Sequence, residues 1–377
     1  MTSYFDHNAT TPLLGEVVEA MWPYLTTHFG NPSSGHVFGR EAKAAVERAR
    51  AQVAALVGAS PGELIFTSGG TEATALALRG AGLEAGKTAM LSTRVEHPAT
   101  ARVLDALEQD GATVTRLPVD ANGLINPAAV EAALTPSTRL FTVLHAHNET
   151  GVLQPLPVLS ALTRPRGVLL HVDASQSAGK VPLSLCNDGF DLLTLAAHKL
   201  YGPKGVGALI RRRGVPLRAQ QLGAGHERGQ RAGTENVASI VGFGVACVAA
   251  QRDLAEVSSR LLQLREALSA ALITAIPGLI IAGAAAPRLP NTVYALFPGV
   301  SGTELLARTP GLAASTGSAC HDGHETPPQV LLEMGFPPER AVGAVRLSLG
   351  RQTTAAEVEA AAQQLIASWR CLRDRRD

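Results

Sequence analysis

Between about residues 60 and 212, short apolar runs rich in β-branched residues alternate with longer stretches whose apolar positions recur every three or four residues. ELIFTS, KTAMLST, TVTRLPV, RLFTVLHAH, GVLLHVDAS, DLLTLAA and GVGALIRR read as strands. Their alternation with helical stretches predicts an α/β fold whose sheet is largely parallel and covered. PATARVLDALEQDG illustrates the cover: Ala101, Leu104, Ala106 and Leu107 fall near one helix face, and a glycine ends the helix. After the glycine-rich segment QLGAGHERGQRAGTEN, a helical pattern runs from about Val237 to Ile276 and stops at Pro277-Gly278, long enough to bridge two domains. LIIAG, NTVYALF and AVRLSLG then read as shorter strands, and a last helix spans about Ala355 to Arg373, so this second region is α+β.

Composition narrows the function classes. The chain has 377 residues, 46% of them hydrophobic, enough for a large domain and a smaller one. A formal net charge of +1 gives no electrostatic reason to expect nucleic acid or an anionic membrane as partner. No unbroken apolar run approaches eighteen residues and MTSYFDHNATTP lacks a signal-peptide pattern, so a cytoplasmic protein is expected. Four widely spaced cysteines without C-x-x-C argue against a disulfide framework or zinc knuckle. Cys320, within STGSACHDGHE, sits among small residues unsuited to a core and beside His321, which favours a nucleophilic thiolate. A zinc site from Cys320, His321 and His324 lacks a nearby fourth cysteine, so no metal is expected.

Ligands of open α/β sheets gather at the carboxyl ends of the strands. There the sequence places Gly70-Thr71 opening a helix, His97, Asn148, Asp173 with Gln176 a turn later, and Lys199. Gly70-Thr71 reads as a phosphate cradle or as a plain helix cap. Only five of the 33 basic residues are lysines: Lys43, Lys87, Lys180, Lys199 and Lys204. Of these, Lys199 alone follows a strand end about 26 residues after the strand-end Asp173; Lys180 reads as opening the next turn. A lysine for an aldehyde, a carboxylate for a pyridine nitrogen and a phosphate cradle are what pyridoxal 5'-phosphate requires. Arg346 and Arg351 flank a strand, and either suits a substrate carboxylate.

FDHNATTP, GNPSSGHVFGREA, FTSGGTEA, EHPA, HNETG, HVDASQSAGK, HKLYGPKG, GHERGQRAGTEN, STGSACH and RLSLGR, in unbroken order from about residue 4 to 355, resemble the cysteine desulfurase family of class V, fold-type I pyridoxal phosphate enzymes. The resemblance implies a large cofactor-binding domain over 12–255 with a mostly parallel seven-stranded sheet. A small α+β domain from 1–11 and 256–377 would carry the cysteine loop. It implies that Gly70, Thr71 and His198 hold the phosphate, His97 stacks on the ring, and Asp173 pairs the pyridine nitrogen. Asn148 and Gln176 would contact the phenolic oxygen or substrate, Lys199 the aldehyde and Arg346 the carboxylate. In the implied homodimer, Thr234 reaches the neighbouring subunit's phosphate. L-cysteine would become L-alanine while Cys320 takes the sulfur as a persulfide, with Lys199 and His97 beside it as catalytic residues, for delivery to an acceptor or scaffold protein.

Three departures stand out. Ala196 occupies a position where the family usually has a hydroxyl for the phosphate, and HNETG replaces the common NNETG. His321 follows Cys320 in place of serine or threonine, a feature similar to selenocysteine lyases, which makes release of selenium and alanine the alternative activity.

Overall fold

The computed structural model describes residues 2–81, 87–316, 320–321 and 324–374, with the side chains of 317–325 outside that description. Seven strands form the main sheet: β1 (Leu64–Thr67), β2 (Ala89–Thr93), β3 (Thr113–Leu117), β4 (Thr138–Leu144), β5 (Leu169–Asp173), β6 (Leu192–Ala196) and β7 (Gly207–Arg211). Their spatial order is β1-β7-β6-β5-β4-β2-β3. β7 pairs antiparallel with both neighbours and the other pairings are parallel, so six strands end at one edge of the sheet.

The period of two decides which face each strand residue covers. Phe141 and Val143 of β4, Leu193 and Leu195 of β6, and Ala208 and Ile210 of β7 enter one core. Their neighbours Leu140, Leu192 and Leu209 enter the core on the opposite face. Because both faces are packed, the strands read as continuous apolar runs. Helix α1 (Gly15–Thr26), helix α2 (Val37–Ala55) and the 39-residue helix α5 (Val237–Ala275) lie together beside the first core. Helices α3 (Gly70–Ala81) and α4 (Pro98–Gln109) supply Ala73, Leu76, Ala77, Leu104 and Leu107 to the second face.

Helix α5 has the length and hydropathy of a membrane span, but Ile240, Phe243, Ala246 and Cys247 are packed inside the sheet core. Its later residues Leu261, Leu268 and Leu272 belong to a different core with Phe5, Val293, Val345, Leu347 and Leu365. That core surrounds a three-stranded antiparallel sheet of β8 (Ile280–Ile281), β9 (Thr292–Leu296) and β10 (Ala344–Ser348), flanked by helix α6 (Ala355–Arg373). One helix therefore has two apolar surfaces, each set by a different partner. The N-terminal segment makes the second link. Ser3–Tyr4 pairs with Leu312–Ala313 and Phe5 fills the small-sheet core, whereas Thr11 is bonded to the carbonyl of His198 just past β6.

The edge strand β1 is fixed by a buried ion pair. Both carboxylate oxygens of Glu227 accept from Arg50 of α2 at 2.7 Å, and Oε2 also accepts from the Phe66 N–H at 2.8 Å. Glu227 and Arg228 have φ of 47° and 58°, a left-handed turn that branched or bulky side chains resist and that the paired carboxylate holds in place. Removing one member leaves a buried charge alone. Glu227→Ala is expected to lower the unfolding free energy by about 3–5 kcal/mol, seen as an earlier denaturant midpoint; an unchanged midpoint would contradict this role.

Candidate active site

At the edge where the parallel strands end, a cavity of about 420 Å³ is lined by Gly70, Thr71, His97, Asn148, Asp173, Gln176, His198, Lys199 and Arg346. Asn8, Ala9, Ser175 and Ala196 complete much of its wall. The parallel register brings this about: Leu144 of β4 stands beside Asp173, and Asp173 beside Thr194 of β6. Groups far apart in sequence thus emerge side by side.

Lys199 ends a single 3-10 turn that continues β6. Its Nζ donates to the main-chain carbonyls of Asn8 at 2.7 Å and Ala9 at 2.9 Å. Burial, with the Arg346 charge adding to it, pulls the amine down to about 8, against the opposing pull of Asp173 and Asp6. A lysine with this environment is neutral for a substantial fraction of the time near pH 8. Asp173 closes β5 with Oδ1 accepting from the Ser175 N–H at 2.9 Å, and forms no ion pair with a lysine or arginine among the described residues. Its carboxylate is thereby oriented by the main chain and left open to a cationic partner in the cavity.

His97 caps α4, and its Nδ1 accepts from the Ala99 N–H at 3.1 Å. That bond places the proton of the neutral ring on Nε2. Burial lowers its basicity, against the opposing pull of Asp173 and with Lys199 adding to the lowering. Across the cavity, Gly70 opens α3, whose first-turn N–H groups have no intrahelical acceptor. A Cβ on Gly70 would stand 3.1 Å from Ser175 Oγ and 3.3 Å from the Ala196 Cβ, so glycine keeps this cradle open. Ser175 also puts a hydroxyl-bearing residue on the same wall as Ala196.

Of the two arginines around β10, the structure brings Arg346 to the cavity. Its Nη1 donates to the Asn148 carbonyl at 3.1 Å and Nη2 to Asp6 Oδ1 at 2.7 Å, while buried Nε has no partner among the described residues. Arg351 turns away to Asp253 (2.9 Å) and the Ala249 carbonyl. His147, the departure in HNETG, is structural: Nδ1 accepts from the N–H groups of Glu149 and Thr150, and the ring also bonds the Val95 main chain. Its burial lowers its pKa to about 3, which keeps it neutral.

Several contributors escaped sequence reasoning. Glu96, buried, is pushed up to about 8, with Oε1 accepting from Thr93 Oγ1 and the Leu144 N–H and Oε2 unpartnered. Glu149 is raised by burial to about 7 and accepts from the Tyr294 hydroxyl at 2.9 Å. Lys180, expected to open an ordinary turn, instead donates to Asn8 Oδ1 and Gln176 Oε1. The motif FDHNATTP contained the signal for Asn8, but its partners are remote. Thr234 is not brought to this cavity; it lines a separate recess with Arg231 and Asn236. Cys320 pairs by its backbone with Glu325 in a short hairpin, and its side chain lies outside the described residues.

Comparisons with known proteins place the whole chain in one family. The aminotransferase class-V family profile matches residues 3–361. A cysteine desulfurase of Trichormus azollae is 43% identical over 94% of this chain and 90% of its own length. A cysteine desulfurase IscS of Anaeromyxobacter sp. (strain Fw109-5) is 43% identical over 98% of this chain and 93% of its own. Among solved structures, a NifS-like protein superposes with a TM-score of 0.91 at 34% identity, covering 97% of this chain and 99% of that one.

The cavity predicts selective chemistry at one amine. A small aromatic aldehyde with borohydride at pH 8 should label Lys199 ahead of Lys43, Lys87 and Lys204, as read by peptide mass mapping. Because protonation removes the reactive form, labelling should fall by more than about tenfold at pH 6. Labelling spread evenly over the lysines would refute the assignment.

Proposed function

The chain belongs to the aminotransferase class-V family and acts as a cysteine desulfurase, and we propose that Lys199, Asp173, Arg346 and Cys320 carry the reaction. The observation that bears most weight is the shared cavity: a basicity-lowered lysine and an unpaired carboxylate at adjacent strand ends, opposite a glycine-opened helix start. The same donors suit pyridoxal 5'-phosphate. Lys199 would hold its aldehyde carbon, Asp173 its ring nitrogen, His97 one ring face, and Gln176 and Asn148 the phenolic oxygen or the substrate. The first turn of α3 with Gly70 and Thr71, together with His198, would hold the phosphate. When bound, this group supplies the electron sink that no side chain offers.

The chain's own groups do the rest. Arg346, anchored by Asp6 and the Asn148 carbonyl, presents its remaining guanidinium donor capacity to the carboxylate of L-cysteine. Once the amine of L-cysteine has taken its place, the freed Lys199 amine would remove the proton from the substrate Cα and return a proton within the cavity. The Cys320 thiolate attacks the substrate sulfur: the S–S bond forms as the Cβ–S bond breaks, and the enzyme thiol becomes a persulfide while L-alanine leaves. His97, neutral with its proton on Nε2, lies beside Lys199 and Asp173 and keeps the reacting centre dry. The relatives' names favour cysteine over selenocysteine as substrate.

A homodimer accounts for two further features. Trp22, Leu25, Phe29, Val37 and Phe38 are exposed within residues 22–38, Phe29 by 75%, and the Phe29 and Phe38 rings stack. Such an apolar surface fits burial against a second copy. Thr234, remote from its own chain's cavity, would then serve the neighbouring one. The persulfide sulfur passes to an acceptor or scaffold protein of iron–sulfur cluster assembly.

Lys199→Ala should abolish alanine release and the borohydride-fixed adduct, measured by mass spectrometry; an adduct that persists elsewhere would reject Lys199. Cys320→Ala should retain cofactor binding yet lose alanine formation from cysteine, and the wild type alone should gain the mass of one sulfur at this residue. A Cys320→Ala protein that released alanine from cysteine at the wild-type rate would remove Cys320 from the mechanism.

A further inference from the structure

Lys180 is a buried amine that the reaction above does not use. It follows Gln176 by one turn, and its carbonyl is tied to Ser258 of α5 at 2.8 Å. Its Nζ donates to Gln176 Oε1 at 2.9 Å and to Asn8 Oδ1 at 3.1 Å. No carboxylate pairs with it among the described residues. The charged or titratable groups that face it are Lys199 and Arg346, which repel it, and His7 and His198, whose basicity it lowers. Both histidines are pulled to about 4, mainly by burial, and stay neutral in the working range. An amine enclosed without a counter-ion is unfavourable, and an apolar residue would fill a purely structural site better.

Its two acceptors explain its placement. Gln176 Oε1 is taken by Lys180, so the amide's NH2 end is the one that donates, and Nε2 reaches the Asn8 carbonyl at 2.8 Å. The remaining N–H of that amide belongs to a residue lining the cavity. Asn8 is held on every side: Oδ1 by Lys180 and Asn291, and Nδ2 by Thr292 Oγ1 and the Asn148 carbonyl. Its main-chain oxygen is the one on which Lys199 rests.

We propose that Lys180 is a positioning residue for the reaction: by clamping Gln176 and Asn8 it turns an amide donor toward the cavity and seats the Lys199 amine. This rests on the assignment of Lys199 as the reacting amine. Lys180 is pulled to about 7, by burial first and then by Lys199 and Arg346, so it gives up its proton below the transition of Lys199 at about 8. A proton on one disfavours a proton on the other. Removing the amine at position 180 therefore releases Gln176 and Asn8 with little change in the charge that Lys199 feels, whereas a permanent charge there lowers the pH at which Lys199 loses its proton.

Five lysines make this measurable. In the cofactor-free full-length chain labelled with 13C-lysine, Lys199 should titrate lower in Lys180→Arg than in wild type by on the order of one pH unit, and its chemical shift should move in Lys180→Met because the Asn8 carbonyl it rests on is no longer clamped. The visible band of the pyridoxal-phosphate-loaded protein should change form at pH values in the same order. A Lys199 titration unmoved in Lys180→Arg, or a Lys199 signal unmoved in folded Lys180→Met, overturns the proposal. If that variant does not fold, the wild type decides: the Lys199 signal must show a second inflection as Lys180 titrates, and a single independent step overturns the coupling. The titration needs no cofactor, so a wrong choice of reacting lysine, seen as borohydride labelling elsewhere, is told apart from a failure of the clamp.

Discussion

The main-chain oxygen of Asn8 is the point on which the two halves of the molecule meet. It accepts from Lys199 of the large sheet at 2.7 Å and from Gln176 at 2.8 Å. Three residues earlier Phe5 is buried in the small-sheet core, and three residues later Thr11 is bonded to the backbone around His198 and Tyr201. A carbonyl has only two lone pairs, and both are engaged here. Two side chains sharing it fix the distance between the cores at that point as well as the position of each donor. The side chain of the same residue then ties in Asn291 and Thr292 of the small-sheet region and the Asn148 carbonyl beyond β4. Displacement of this short segment would disturb the amine, the amide and the arginine-bearing strand together.

Local signals were legible in the sequence and remote ones were not. Strand spans and the long helix could be read because the period of side-chain burial is set by adjacent residues. Lys199 and Asp173 could be read because strand ends in a parallel sheet converge whatever their separation. Lys180 could not: its acceptor Asn8 lies 172 positions away, and nothing in SQSAGK distinguishes a buried amine from a turn residue. His147 had no visible purpose until its ring was seen to close its own turn against Val95. The choice between Arg346 and Arg351 depended on the five-residue offset along and past β10, which turns one toward Asp6 and the other toward Asp253.

The resemblance of motifs carried the chemistry further than periodicity could, but it too stops at the single chain. Thr234 lines its own recess with Arg231 and Asn236 and not the cavity that the motifs assemble. Ala196 removes a hydroxyl from the cradle, yet the neighbouring Ser175 occupies the same wall, so the loss at one position need not empty the cradle of hydroxyls.

Electrostatics follow from burial around this frame. Glu96 and Glu149 are pushed up to about 8 and 7, so near neutrality they carry much less negative charge than exposed carboxyls, whereas Arg346 stays cationic and both lysines are held near their own transitions. Asp173 and Asp6 are then the nearby carboxylates that pull Lys199 back toward its charged form. The cavity therefore leans positive, and the cost of crowding its cations appears as lowered lysine basicity. An anion carrying phosphate or carboxylate charge relieves that crowding. Its arrival should favour protons on the amines while Arg346 and the helix start hold the charge, which ties anion affinity to the protonation of the same lysines that the reaction needs to be neutral. An anion thus favours the protonated Lys199 while the reaction needs it neutral, and an amine held near 8 keeps both forms accessible.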